Sequence, residues 1–314
     1  KVWGGHQLVQ LKQLPDNDTP MGESWEVSAV PTSTSVISNG HWQGRDLISV
    51  IADAPKEILG KKVAEEYHNQ MPLLIKFIDA QRDLSIQVHP NDAMGQRLGF
   101  EHGKTEMWYV LAAKPGAFLY EGFSHDIDET EFRQRIADGT ITDVLQKHEV
   151  KAGDAFYIPS GTVHAICSGL LVAEIQQSSD LTYRIFDYNR PGLDGKPRQL
   201  HVDLAAEALN FKAGTNYQSQ YQYHEGQANT VVSSPYFNVR VLDIDHSMHC
   251  DIRQRDSFVI LMCLEGDCHI HVHSTGEDVT LRHGYSAMIP AAIADYDIVA
   301  DSSNGKSKVI DAFL

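Results

Sequence analysis

The feature that most constrains this chain is its resemblance to itself. Matching Pro159 to Pro290 lays Lys151-Ala-Gly-Asp-Ala-Phe-Tyr-Ile-Pro on Arg282-His-Gly-Tyr-Ser-Ala-Met-Ile-Pro, with Gly153 on Gly284 and Ile158 on Ile289. Upstream, Glu106-Met-Trp-Tyr-Val-Leu falls on Asp256-Ser-Phe-Val-Ile-Leu, and a glycine turn follows each at Gly116 or Gly266. A supersecondary unit that recurs within one chain implies two related cores. Both copies are short β-branched and aromatic runs broken by Gly and Pro, the composition of a β-sandwich or barrel. In the second copy Asp295 takes the place of His164, and nothing like Gln87-Val-His89 precedes its strand. The expected division is a catalytic first domain over 1–230 and a degenerate barrel over 231–314.

Three segments carry helical periodicity. One runs from Asp126 to Ala137, with Asp128 or Thr130 available as a cap and Phe132 four residues before Ile136. The others are Ile141 to Lys147 and about Ile58 to Asn69.

A net charge of −16, from 26 basic against 42 acidic residues, repels nucleic acid and anionic membrane surfaces. An anionic substrate must therefore meet a local basic site. The longest apolar stretch, around Phe258 to Leu264, is far short of the roughly 20 residues that cross a bilayer. Lys1-Val-Trp-Gly-Gly-His has no apolar core or small-residue cleavage site of a secretory leader. Four scattered cysteines without a CxxC pair suit reduced thiols. These features together predict a cytoplasmic protein, a monomer or weak homodimer, with a small-molecule partner.

Chemistry concentrates in the first copy. Ser85-Ile-Gln-Val-His-Pro reads as a strand, and alternation sends Gln87 and His89 to one face. Glu106 opens the next strong strand, and His164 follows the Pro159-Ser-Gly-Thr turn. Two imidazoles, a carboxylate and an amide oxygen can hold a metal. Two His and one Glu leave a position open to water or substrate, the arrangement of catalytic rather than structural zinc. Taken singly, His89 reads as a strand-end residue and His164 as a core histidine; their joint occurrence with Glu106 favours ligation. A competing cluster, Cys268-His-Ile-His-Val-His273, places three histidines on one strand face. Same-face neighbours lie about 7 Å apart, so three from a single strand fan outward and suit a surface or packing role.

Lys104, two residues before Glu106, projects beside the metal if the strand already begins there. Glu174, in Leu171-Val-Ala-Glu-Ile, is either a plain barrel carboxylate or a general base. Arg184 offers a fork of donors for an oxyanion or phosphate, the alternative being an ion pair with Asp180 or Asp187. Moving a carbonyl from C1 to C2 of a sugar needs a base and a stabiliser of the enediolate, which Glu174 and a Lewis-acid metal with Lys104 or Arg184 would supply.

Four segments together resemble the type I mannose-6-phosphate isomerases, in particular their short bacterial branch. They are Gln87-Val-His-Pro-Asn-Asp, Gly103-Lys-Thr-Glu-Met-Trp-Tyr, Pro159-Ser-Gly-Thr-Val-His-Ala-Ile and Gln176-Gln-Ser-Ser-Asp-Leu-Thr-Tyr-Arg. Trp3-Gly-Gly and Gly22-Glu-Ser-Trp-Glu-Val-Ser extend the likeness over essentially the whole chain. The resemblance implies a mainly β fold: a cupin jelly-roll barrel with helical insertions plus a second, smaller cupin-like barrel. It further implies one Zn2+ per chain on Gln87, His89, Glu106 and His164, a catalytic Arg184, and Lys104 and Glu174 facing the sugar, with His89 or Lys104 as further candidates for proton traffic. The implied reaction interconverts mannose 6-phosphate and fructose 6-phosphate. An iron-dependent cupin dioxygenase and a non-catalytic sugar-binding cupin are the rival readings. Manganese, iron or cobalt could occupy the same ligands.

Overall fold

The computed structural model describes residues 1–15, 18–214, 217–301 and 305–314. Chain contacts divide it into two compact units: Lys1–Gln10, Pro15–Ser24 and Lys76–Ser219 in the first, Leu11–Leu14, Trp25–Ile75 and Gln220–Leu314 in the second. The units interleave along the chain, so one cut near residue 230 does not separate them.

Two five-stranded antiparallel-rich sheets form the core that bears the metal-site candidates. One runs in the order Glu23–Val27, Leu73–Ala80, Leu170–Gln177, Glu106–Ala113, Ala155–Ile158. The other runs Tyr183–Phe186, Ile86–Val88, His164–Ile166, Phe118–Phe123, Leu145–Glu149. Ile78, Trp108, Leu119, Phe156, Ile166 and Val172, drawn from both sheets, form one buried cluster, so the sheets face each other across an apolar interior. Period-two alternation sends Ile86, Val88, Val163, Ala165, Tyr183 and Ile185 the other way, into a second cluster with Phe132, Ala205 and Ala206 of two covering helices. This is the jelly-roll arrangement with helical insertions expected from the sequence. The residues between these outward ones, Gln87, His164 and Arg184, are left facing inward.

The helices differ in detail from the periodicity reading. Asp128 caps a helix over Glu129–Asp138, accepting from the Glu131 N–H at 2.8 Å, a contact worth about 1 kcal/mol. The segment expected as a helix from Ile141 to Lys147 is a single 3-10 turn, Ile141–Val144, after which Leu145–Glu149 is an edge strand. Its apolar spacing suits a helix, but pairing with Phe118–Phe123 takes the chain instead. The expected helix from Ile58 to Asn69 is two, Pro55–Leu59 and Lys61–Glu66, broken at Gly60. Asp256 caps the second, its carboxylate accepting from the N–H groups of Lys61 and Lys62.

The second unit repeats the strand order of the first with one strand fewer. Asn238–Asp245, Lys306–Phe313, Val259–Glu265 and Ser286–Ile289 stand in one sheet in the order of Leu73–Ala80, Leu170–Gln177, Glu106–Ala113 and Ala155–Ile158. Ser247–Asp251, Asp295–Ala300, Cys268–Val272 and Glu277–Leu281 match the other sheet. Only the strand carrying Arg184 has no counterpart among the described residues. The pairing corrects one part of the internal alignment. Glu106 pairs with Ile158 as Val259 pairs with Ile289, so Val259, not Asp256, takes the place of Glu106, an offset of three residues. His164 pairs with Gln87 as Asp295 pairs with Asp251, so the second copy has Asp, Val and Asp where the first has Gln, Glu and His.

Candidate metal centre

Inward-facing residues on the Gln87 sheet form a continuous row: Arg184 pairs with Gln87, Gln87 with His164, and His164 with Glu121. The register shifts between Tyr120 and Phe123, where Gly122 has φ 75°. That bulge keeps Glu121 facing the interior while Phe123 turns toward the covering helices. From the opposite sheet, Glu106 and Trp108 lie on one strand, Glu174 pairs with Trp108, and Lys76 reaches Glu174.

His89 and Lys104 sit just outside strands and are positioned by a loop network. Asn91 caps the Asp92–Arg97 helix by accepting from the Met94 N–H at 2.9 Å. Asp92 accepts from the Gly103 N–H at 2.8 Å and the Gln177 amide at 2.9 Å, and Lys104 N–H donates to the Pro90 carbonyl at 2.9 Å. Gly103 is required by close approach, since a Cβ there would lie 2.4 Å from the Pro90 carbonyl oxygen.

The three candidate ligands converge. His89 Nε2 is 3.1 Å from His164 Nε2, and Glu106 Oε2 and Oε1 are each 3.3 Å from one of those nitrogens. The other ring nitrogens are committed: His89 Nδ1 donates to the Leu181 carbonyl at 2.7 Å and His164 Nδ1 to the Thr162 carbonyl at 2.8 Å. With their protons on Nδ1, both rings aim Nε2 lone pairs at each other and at the carboxylate. Such a set of acceptors is stable around a cation. Gln87 lies alongside, its amide nitrogen 3.4 Å from His164 Nε2. A half-turn of the amide presents its oxygen instead, an assignment that network geometry decides. The donor set fits a divalent metal.

The charge states agree. Burial, reinforced by the Lys104 cation, pushes His89 down to about 3, and burial also lowers His164, so both imidazoles are neutral, the form that ligation requires. Burial opposes ionisation of Glu106, but Lys104, with Nζ at 2.7 Å, together with His89 and His164 outweighs it and holds the carboxyl well below its ordinary range. Lys104 is raised in turn: burial disfavours its charge, and Glu106 and Glu174 more than restore it.

Beside these residues opens a cavity of about 310 Å³, lined among others by Lys76, Lys104, Trp108, Glu174, Arg184 and Arg198. It is the local basic site that an anionic substrate needs in so acidic a chain. Arg184 is not consumed by an ion pair. Asp187 holds Arg190 and Arg198, while Arg184 donates to the Gln199 carbonyl at 2.8 Å and pairs with no carboxylate among the described residues. Glu174 accepts from the Trp108 indole at 3.0 Å and lies 3.3 Å from Lys76 Nζ. Burial, then the charge of Glu106, raises its pKa above the ordinary value.

Comparison with known proteins gives the family. Residues 1–116 match the catalytic domain of phosphomannose isomerase type I, and residues 227–307 the mannose-6-phosphate isomerase cupin domain. Mannose-6-phosphate isomerase from Streptococcus mutans is 37% identical over 97% of this chain and 95% of its own length. The chain belongs to the type I mannose-6-phosphate isomerase family. It is similar to the Bacillus subtilis enzyme ManA, 31% identical over 95% of the chain and 92% of that protein. The crystal structure of mannose 6-phosphate isomerase from Bacillus subtilis superposes with a TM-score of 0.87, covering 99% of this chain and 96% of the other. The chain is thus an isomerase-family enzyme on a cupin fold.

The structure places beside these candidate residues others that the motif reading missed. Lys76, Trp108 and Glu121 all face the interior. The available signal was a lone charge in a buried strand, Lys76 within Leu-Leu-Ile-Lys-Phe-Ile and Glu121 within Phe-Leu-Tyr-Glu-Gly-Phe, since charges are rarely buried without a purpose. Glu121 is fully buried with neither carboxylate oxygen hydrogen-bonded among the described residues, and burial followed by the Glu106 charge raises its pKa well above the usual range.

Proposed function

We propose that this enzyme interconverts mannose 6-phosphate and fructose 6-phosphate through a cis-enediolate, with one zinc ion held by Gln87, His89, Glu106 and His164. The observation that supports it most is the convergence of two deprotonated imidazole nitrogens and an ionised carboxylate beside a basic cavity that also holds a raised-pKa carboxylate. Bound there, zinc supplies a Lewis acid that favours negative charge on the sugar oxygens at C1 and C2.

The chain's own residues account for the proton chemistry. Glu174 takes the proton from C2 of the aldose; the C–H electrons form the C1–C2 double bond, and the carbonyl electrons move onto O1. A proton passes from the C2 hydroxyl to O1, and Glu174 then delivers its proton, exchangeable with solvent, to C1, which leaves the ketone at C2 and restores the carboxylate. A carboxylate whose pKa is raised is a better match to this task near neutrality than an ordinary one. Lys76 and the Trp108 indole hold its oxygens in place. Lys104, kept as an ammonium, stabilises the developing oxyanion, and Arg184 offers its guanidinium to the anionic substrate.

The test is to incubate the protein with mannose 6-phosphate in D2O and follow the sugar by NMR. The proposal expects fructose 6-phosphate together with solvent deuterium at the carbon that receives the proton. Product without any solvent label would contradict an enediolate that exchanges with solvent, and the absence of product would contradict the substrate.

A further inference from the structure

We infer that the second unit carries its own site for a divalent transition-metal cation, formed by His249, His273 and Asp297. This site shares no residue with the one on His89, Glu106 and His164. It lies on the solvent face of the four-stranded sheet, opposite the face that sends Cys268, Ile270 and Val272 into the core. Strand register assembles it. His249 on Ser247–Asp251 pairs with Asp297 on Asp295–Ala300, Asp297 pairs with His271 on Cys268–Val272, and His271 with Asp278 on Glu277–Leu281. Directly opposed residues project on the same face, so imidazole and carboxylate alternate across four strands, and His273 follows immediately beyond the third.

The side chains close on one point. Asp297 Oδ1 is 2.7 Å from His249 Nδ1 and Asp297 Oδ2 is 3.1 Å from His273 Nε2. One ligating atom from each of the three lies within 4.8 Å of the others. Small ring rotations bring such atoms to the roughly 2.0–2.2 Å bonds of zinc to imidazole and carboxylate. Within Cys268–His273, His269 lies against Thr280 and His271 against Asp278, while the His271 and His273 rings stand 5.4 Å apart, closer than same-face strand spacing alone would put them. The site uses only His273 from that run and draws its other ligands from neighbouring strands. His271, with its ring centroid 5.4 Å from that of His273 and its Nδ1 2.8 Å from Asp278, stands next to the cluster as a further imidazole. Two imidazoles and a carboxylate select zinc, copper or nickel over calcium or magnesium, which prefer all-oxygen shells. The ligands are part-exposed, at 56%, 42% and 31% of their side-chain surface, so a cation exchanges freely with solvent. By linking three separate segments of the sheet, it staples the second unit.

The experiment strips the full-length protein of metal with a chelator, removes the chelator, and counts zinc bound per chain by calorimetric titration with zinc chloride. The wild type is compared with His249→Ala/His273→Ala and, separately, with Asp297→Asn, which leaves both rings in place. The inference expects each variant to bind about one zinc fewer than wild type, with circular dichroism and isomerase activity unchanged. It also expects the extra equivalent to be lost on acidification, because imidazoles must give up their protons to ligate. Equal zinc counts in wild type and Asp297→Asn, at a pH where imidazole is neutral, would overturn it, and the ladder would then be an ordinary solvated row of ion pairs.

Discussion

Replacing Glu174 by Gln tests the proposed base while nearly preserving shape. The carboxylate serves the Trp108 indole through Oε2 at 3.0 Å and Lys76 through Oε1 at 3.3 Å, and glutamine, with a single acceptor oxygen, keeps one of these contacts and loses the other along with the charge. Hydrogen bonds to a charged group are worth about 1.5–3 kcal/mol and neutral ones about 0.5–1.5. Losing one such contact and weakening the other to a neutral one puts the stability cost at about 2.5–4.5 kcal/mol. Burial of the charge and then its repulsion with Glu106 raise the Glu174 pKa in the native protein, and the neutral amide escapes both, which offsets part of the cost. A general base contributes about 10²–10⁴ in rate, or about 2.7–5.4 kcal/mol of barrier at 1.36 kcal/mol per decade. Urea unfolding should therefore show a loss of a few kcal/mol, zinc per chain no change, and kcat a fall of two to four decades. The native enzyme's acid limb in kcat/KM should also lie above the ordinary carboxylate range and disappear in the variant, because the base must be deprotonated to act. A Glu174→Gln protein that retains zinc and full turnover would refute the assignment.

Other perturbations follow from the same geometry. Asp311, fully buried against Arg240 and Arg255, should be hard to replace: Asp311→Ala strands two guanidinium groups and is expected to cost about 3–5 kcal/mol in thermal or urea unfolding, whereas a loss under 1 kcal/mol would mean that water reaches them freely. Gly103→Ala forces the loop away from Pro90 and should weaken zinc binding by displacing His89 and Lys104, read by titration; unchanged affinity would show that the loop gives without moving the ligands. Glu121→Gln should be stabilising at pH 7–8 and close to neutral at pH 4. With its folded pKa raised above the ordinary 4.5, Glu121 binds more proton folded than unfolded in the window above 4.5, so stability falls as pH rises through it, and the amide escapes that loss. Equal melting-temperature differences at both pH values would contradict a buried, proton-holding Glu121.

How far the sequence could be read depended on whether local pattern or distant pairing decided each feature. Gln87 and His89 were legible because alternation alone puts them on one face, and Pro159 and Gly153 announced the duplication because their turns recur. Glu106 was aligned with Asp256 because each is an acid preceding an apolar strand. Only register with Ile158 and Ile289 shows that Val259 is the true counterpart and that Asp256 caps a helix. Ile141, Val144 and Leu145 fit a helical stripe as well as a turn entering an edge strand, and the partner that chooses lies some twenty residues upstream. Lys76 and Glu121 went unread because neither belongs to a short motif; their meaning comes from what the opposite sheet and the neighbouring strands place beside them.

The central claim is tested most directly by removing and restoring the metal. Full-length protein treated with EDTA and freed of chelator should fail to form fructose 6-phosphate from mannose 6-phosphate in a coupled assay. Titration with zinc should restore turnover, and His164→Ala should not recover at the same zinc concentration. Full activity in protein shown by elemental analysis to be metal-free would contradict the account, whatever the fold.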